Sequence, residues 1–341
     1  MQPRIVDAQT IRRAGEWQMR EKFDVVVVGG GPGGLSAALT LARARRSVLV
    51  VDAGSPRNAA ADGVHNYLGL EGTPPAKLLA TGRAEVASYG GEVVTGSVAG
   101  ARRQHGGFTV SLADGRSVLA RRLVVACGLV DELPAVPGLA ERFGRDVLHC
   151  PYCHGWEVAD QPIGVLASGP MAVHQALLLR QWSEDIVLFT HTTPRPADDE
   201  LEQLHAREIA VVEGTVTGLQ ITGDRLAGVR LESGEVVPRT ALAVAPRFTA
   251  RAELLAALGL AVEDFGMNGH VLGSRVAADP NGATGVDGVW VVGNAADLRA
   301  GVLNTASAGM TTATMVNADL VGEDTRAAVA QRRRAAYWVH G

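Results

Sequence analysis

Phe23-Asp24-Val25-Val26-Val27-Val28-Gly29-Gly30-Gly31-Pro32-Gly33-Gly34 decides how the chain folds. The β-branched run Val25 to Val28 suits a strand buried on both faces. It leads at once into Gly29, Gly31 and Gly34, a G-x-G-x-x-G pattern completed by Pro32 and Gly33. Leu35 to Arg46 has helical spacing, and Ser47 to Val51 reads as a second strand ending in Asp52. Alone, the glycine pattern says little. Between a strand and a helix, with an acid at the end of the next strand, it is the grammar of a dinucleotide fold. The glycines allow a tight turn and let a pyrophosphate approach the helix N-terminus, and Asp52 accepts hydrogen bonds from an adenosine ribose.

His149-Cys150-Pro151-Tyr152-Cys153-His154-Gly155 is the second informative stretch and holds two of the chain's 3 cysteines. The spacing lets both sulfurs meet at the first turn of a helix, where free N–H groups and the dipole favour a thiolate. C-x-x-C beside a βαβ pattern reads as a redox dithiol. A zinc site would need two more ligands, and His149 and His154 stand too close in sequence to complete a tetrahedron easily. No metal is therefore expected. Cys127 reads as a small core residue. His154 is the candidate proton carrier, because an imidazole with an ordinary pKa of ~6.5 exchanges a thiol proton near neutral pH. The competing reading makes it a helix cap or a core filler. His149 is a candidate for stabilising the thiolate; His65, His174 and His191 read as structural.

With 341 residues, 47% hydrophobic, 20% charged and a net charge of −4, the chain has room for about two domains. No basic excess points to nucleic acid, and no apolar run approaches the ~18 residues that span a bilayer. Residues 1–22 carry charges throughout and read as a polar extension, not a secretory signal. So few cysteines fit a reducing compartment, and the cytoplasm is the expected location. Between Ala53 and Ala120 the reading gives turns and short strands, with Phe108–Leu112 and Arg116–Leu119 as a hairpin around Asp114-Gly115. Leu123 to Gly128 is a further strand, and Pro134 and Pro137-Gly138 place a boundary near residue 130. Residues 162–189 repeat the βαβ pattern in worn form. Ala167 takes the first glycine's place, no acid follows the second strand, and a lone Arg195 precedes Asp198-Asp199-Glu200. Val289 to Asn294 reads as a returning strand, followed by a helix over Thr305 to Val321. The tail from Thr325 reads as a solvated surface helix. The expected class is α/β, with two Rossmann-like domains of three-layer ββα, parallel-sheet type. Residues 23–129 plus 249–341 form one discontinuous domain; residues 130–248 form a smaller NAD(P)-type domain carrying the C-x-x-C.

These parts in this order resemble the low-molecular-weight thioredoxin reductase family of flavoproteins, over about residues 23–322. The resemblance rests on Gly29, Gly31, Gly34 and Asp52, on His65-Asn66-Tyr67-Leu68-Gly69, on the C-x-x-C, and on Gly293-Asn294 before the last helix. It implies that the discontinuous domain holds FAD at Gly29, Gly31, Pro32, Gly33, Gly34, Asp52 and Ala53. Asn66, Gly128, Gly293 and Asn294 would lie near the flavin and its ribityl–phosphate chain. It also implies a homodimer, with Cys150 as the outer sulfur and Cys153 as the one facing the flavin. Three departures matter. The family's acid after the second cysteine is His154 here, its Asp at the second motif is Asn294, and its NADPH-binding arginines are missing. With those changes the chain looks like the microbial dithiol oxidase branch, which closes the disulfides of natural products such as gliotoxin and holomycin with oxygen as electron sink. The resemblance thus implies an FAD-dependent thiol/disulfide oxidoreductase that takes a small-molecule dithiol and O2 and yields a disulfide and H2O2. Two alternatives stay open: an NADPH-dependent reductase of a thioredoxin-like protein or small disulfide, and a non-catalytic FAD-binding regulator.

Overall fold

The computed structural model describes residues 21–251, 256–267 and 269–340. Most of the expected N-terminal extension, residues 1–20, lies outside the described residues. β1 (Lys22–Val28), α1 (Pro32–Arg43) and β2 (Val48–Asp52) form the expected unit, with Val25 opposite Val48 and Val28 opposite Val51 in parallel register. Strand periodicity sends Val25 and Val27 into the core beneath the helices and Val26 and Val28 into the core on the other face.

α2 (Pro75–Ser88), β3 (Glu92–Thr95), β4 (Val98–Gln104), β5 (Gly107–Leu112) and β6 (Ser117–Val125) continue the unit. The sheet order is β3-β2-β1-β6-β5-β4. Two expectations are corrected here. The stretch read as turns and short strands contains α2, which buries only Pro75, Leu79 and Val86 and so shows a weak apolar stripe. The two strands read at 116–119 and 123–128 are the single strand β6. Arg121 and Arg122, which broke the apolar run in the sequence, are partnered by Asp24, Asp319, Glu323 and Asp324.

β7 (Leu129–Glu132) leads to a second unit: α3 (Leu139–Arg142), β8 (Val147–Leu148), α4 (Pro151–His154), β9 (Ile163–Leu166), α5 (Ala172–Leu179), β10 (Ile186–Phe189), α6 (Asp198–Ala206) and β11 (Ala210–Val212). An antiparallel ribbon follows, β12 (Val216–Thr222), β13 (Arg225–Leu231) and β14 (Val236–Pro238), and then β15 (Ala241–Val244). The parallel sheet runs β11-β10-β9-β15-β8. Helices α5 and α6 cover one face and the ribbon covers the other. β16 (Arg247–Ala250) pairs antiparallel with β7, Leu129 opposite Ala250 and Glu132 opposite Arg247, so the two strands that cross between the units are zipped together. β17 (Val262–Met267) and β18 (His270–Val276) extend that pair to four strands. β19 (Val289–Val291) returns beside β6.

The last element, α7 (Val302–His340), is one helix of 39 residues. It corrects the expectation of a helix to Val321 followed by a separate tail. No proline interrupts it, and ion pairs from Glu323 and Asp324 to Arg121 and from Asp324 to Arg46 hold it through the expected break. Its first turns pack tightly on α1. A Cβ at Gly309 would fall 2.1 Å from the Gly33 carbonyl, so only glycine permits this approach. The architecture is thus two Rossmann-type three-layer units.

Candidate active site

The dithiol follows the short edge strand β8, at the carboxyl end of the second parallel sheet, where ligand sites of open α/β sheets gather. Cys150 is the N-cap of α4, and its carbonyl accepts the N–H groups of Cys153 and His154, each at 3.1 Å. That turn brings the Cys153 sulfur to 2.7 Å from the Cys150 sulfur, with the Cys153 thiol donating. α4 is a single turn, so the expected macrodipole is replaced by nearer donors. The hydrogen bond from Cys153 is the largest influence and takes the Cys150 thiol down to about 7; burial opposes it, while the N–H groups of Cys153 and Tyr152 and the charge of Arg57 assist. Cys153 keeps the shared proton, and its own ionisation is pushed far up. Cys127 packs against the core, and burial pushes it up to about 11.

His154 follows Cys153 with its Nε2 buried and without a hydrogen-bond partner among the described residues. Burial lowers its pKa, against the pull of Glu157 and Asp62. The ring is therefore neutral near pH 7 and keeps one free lone pair for a proton. His65, which the sequence reading made structural, stands close by. Its Nδ1 donates to Glu71 at 2.6 Å, and its Nε2 lies 3.3 Å from Glu157. Glu71 also accepts the Asn66 N–H at 2.8 Å, and the Asn66 Nδ2 donates to the Tyr152 carbonyl at 2.6 Å. Asn66 holds a left-handed backbone, φ 59°. The 65–71 loop of the first unit is thereby fastened to the dithiol turn of the second. Large apolar groups flank this junction: Leu68 is 95% exposed, Tyr152 65% and Trp156 81%.

On the other side lies a residue that the sequence reading missed. The guanidinium of Arg57 makes a two-pronged ion pair with Asp131 of β7 at 2.7 and 2.6 Å. It sits 5.2 Å from the centre of the Phe248 ring of β16 and 3.5 Å from the Asn294 Oδ1. His149 packs edge-on against the same Phe248 ring at 5.0 Å. Its Nδ1 donates to the Val244 carbonyl at 3.2 Å, and burial lowers its pKa. His149 is thus neutral near pH 7, and Arg57 supplies the positive charge beside the pair.

The glycine turn at the end of β1 fits an anionic dinucleotide. Gly31 caps α1 with no side-chain hydrogen bond, the first turn holds no acid, and nothing lies within 4 Å of a Cβ built on Gly31. Free N–H groups facing open space are what a pyrophosphate needs. Gly29 has φ 108°, and its Cβ would stand 2.3 Å from the Ala126 carbonyl. Asp52 accepts the Gly54 N–H at 3.1 Å and Arg83 at 3.0 Å, leaving lone pairs on both oxygens. Ala53 follows, exposed, and Gly128, in the link between β6 and β7, has open space at its Cβ. Gly293, φ 71°, lies against Thr305 of α7. The Asn294 amide donates to the carbonyls of Asp297 and Ala300, each at 3.0 Å. An ionised aspartate has no proton to give to those carbonyls.

The second βαβ turn is different. Ala167 is buried, and the Ser168 hydroxyl is spent on the Ala245 carbonyl at 2.6 Å. Arg195 is 3.3 Å from Glu213, and Asp198, Asp199 and Glu200 form the first turn of α6. Among the described residues no three His, Cys, Asp or Glu side chains converge as for a metal, and no helix is long and apolar enough to cross a membrane.

A profile of the pyridine nucleotide-disulphide oxidoreductase family matches residues 23–315. The chain belongs to that family. Members of the pyridine nucleotide-disulphide oxidoreductases are flavin-dependent oxidoreductases, and the likeness to thioredoxin reductases holds within them. Thioredoxin reductase tcpT of Claviceps purpurea is 30% identical over 320 residues, 88% of this chain and 95% of that protein. A probable thioredoxin reductase of Arthroderma benhamiae is 35% identical over 187 residues; the match spans 53% of this chain and less than half, 46%, of the relative. The crystal structure of HlmI superposes with a TM-score of 0.86 at 47% identity, covering 94% of this chain and 99% of that one.

Proposed function

We propose that this member of the family is an FAD-dependent dithiol oxidase: R(SH)2 + O2 gives RS2 + H2O2. The observation that carries this reading is the contrast between the dithiol site and a second nucleotide turn in which Ala167 takes the first glycine's place and Arg195 faces Glu213. Gly29, Gly31, Pro32, Gly33, Gly34, Asp52, Ala53, Gly128, Gly293 and Asn294 are the residues that would hold FAD, with Asn66 at the junction to the dithiol. Bound there, FAD supplies a two-electron acceptor that O2 restores.

The chain's own residues supply the thiol chemistry. In the oxidised enzyme a substrate thiol gives its proton to the free nitrogen of His154, and its sulfur attacks Cys150. The Cys150–Cys153 bond breaks, and Cys153 leaves with the electron pair and takes the proton from His154. The second substrate thiol then gives its proton to His154, now neutral again, its sulfur attacks the first, and Cys150 departs as a thiolate. A sulfur whose pKa is about 7 is a good leaving group at neutral pH. The product carries the new disulfide, and the enzyme pair is left reduced by two electrons. Leu68, Tyr152 and Trp156 offer the substrate an apolar approach.

Anaerobic mixing of the FAD-loaded protein tests the reading. A dithiol such as dithiothreitol should bleach the yellow colour, and air should restore it with one peroxide per turnover. Rapid bleaching by micromolar NADPH, with none by dithiols, would instead establish the reductase reading. We also infer a homodimer, since α7 leaves Leu303, Met310, Met315 and Val321 exposed along its length; sedimentation at micromolar concentration decides that point.

A further inference from the structure

We propose that Arg57 is a fixed cation that strengthens the Cys150–Cys153 pair as an oxidant, and that Asp131 moderates it. The inference rests on the dithiol reading given above and goes beyond it to residues outside the C-x-x-C. The sequence offers no hint of this, because Arg57 lies 93 positions before Cys150 and in no motif.

The geometry is a stack anchored in three places. Asp131 on β7 grips the guanidinium in two-pronged fashion, and its side chain is only 10% exposed. Phe248 on β16 presents its ring face to the cation, and the edge of His149 packs on the same ring. Asn294 touches the guanidinium from the side of the glycine motifs. β7 and β16 are paired to one another, so the platform under Arg57 is a hydrogen-bonded ladder rather than a loop. Arg57 is therefore held at a set position beside the residue that precedes Cys150. A guanidinium is charged at every pH the enzyme meets. The other charged and titratable groups around the pair are His149 and His154 on its own segment, both neutral, with His65, Glu157 and Asp62 grouped about His154. The charge of Arg57 favours the thiolate on both sulfurs, as a contribution smaller than their own hydrogen bond.

The consequence for redox strength has a definite sign. A nearby cation stabilises the thiolate, which exists only in the reduced pair. Stabilising the reduced form makes the disulfide a stronger oxidant, which suits an enzyme that draws electrons from substrate thiols. Asp131 weakens the effect by partly cancelling the charge. Arg57 acts through the sulfurs and is a positioning residue in electrostatic terms, so the test reads ionisation and equilibrium, not turnover alone.

The test uses the reduced FAD-loaded protein and follows iodoacetamide alkylation of Cys150 against pH. It also measures the equilibrium of the pair with glutathione. Arg57→Gln should raise the alkylation midpoint by roughly half to one pH unit and shift the glutathione equilibrium about three- to tenfold toward the disulfide. Asp131→Asn should move both readings the opposite way, by a smaller factor. Arg57→Lys, which keeps the charge, should stay within about twofold of the wild type. A purely structural Arg57–Asp131 pair would move both variants in one direction, and that result, or no movement in either, overturns the proposal. The outcome is separable from the oxidase reading. A protein bleached by NADPH and indifferent to dithiols would remove that reading and leave the opposed shifts standing.

Discussion

Replacing Cys153 by alanine removes the one thiol donor to Cys150 and should raise the ionisation of the remaining sulfur. The magnitude follows from the site. Cys150 sits at about 7 against an ordinary 9.0, and the hydrogen bond from Cys153 is the largest cause. Burial acts against ionisation and remains in the variant, as do the two N–H groups and Arg57. At pH 7 a thiol with a pKa near 7 is about half thiolate, and one near 9 is about one part in a hundred. Alkylation of Cys150 by iodoacetamide at pH 7 should therefore fall by about ten- to fifty-fold, with the midpoint of the rate profile moving toward 9. Cys127 does not confuse the reading, since its thiol is pushed up to about 11. Cys153→Ser keeps a donor hydroxyl and should lie between the two. A Cys153→Ala midpoint that stays near 7 would refute the shared-proton account and leave the low value to the backbone and Arg57.

Three further outcomes are expected. His154→Ala should cut dithiol turnover by ~10²–10⁴ without loss of flavin, and His154→Asp should recover part of it; an unchanged oxygen-uptake rate across pH 5 to 9 would leave the imidazole no part in proton transfer. Gly34→Ala places a methyl 2.0 Å from the Gly29 carbonyl, so it should lower the thermal midpoint by several degrees and release the flavin, seen by calorimetry and absorbance. At Asp24, burial works to raise the carboxyl, but hydrogen bonds from Ser47 and the Arg121 guanidinium outweigh it and hold it below the usual carboxylate range. Its contribution is then present above the ordinary value and lost as pH falls through the folded one; Arg121→Gln should cost on the order of 1 kcal/mol at pH 7 and flatten the acid limb of urea denaturation measured from pH 5 to 3.

Much of the fold was legible because its signals are local. Val25 to Gly34 states a buried strand, a tight turn and a helix within one stretch, and the C-x-x-C states its own turn. Elements that depend on distant partners were not. α2 buries too few side chains to show a stripe, and the middle of β6 reads as polar until the acids of α7 are seen beside it. The same holds at the site. Cys150, Cys153 and His154 are adjacent in sequence and were named from it, while Arg57, Asp131 and Phe248 meet only through the pairing of β7 with β16. His65 was visible as part of a motif, but its link to Glu157 exists only once the two units touch. The worn second nucleotide turn could be read from Ala167 and Arg195; that Glu213 occupies the arginine could not.

β6 is where the parallel and antiparallel parts of one sheet meet. Its first half carries the antiparallel ribbon, its second half pairs with β19, and it lies against β1 from Leu119 to Val125. It ends at Val125, and the carbonyl of the next residue, Ala126, lies so close to Gly29 that it admits no side chain there. A strand shared in this way opens as a single cooperative unit, so amide exchange along it reports one free energy. A ligand seated on the glycine turn binds only the closed state and deepens that free energy by mass action. Occupancy at one end of β6 would therefore slow exchange at the far end, near Leu119 and in the ribbon, at amides that no ligand touches.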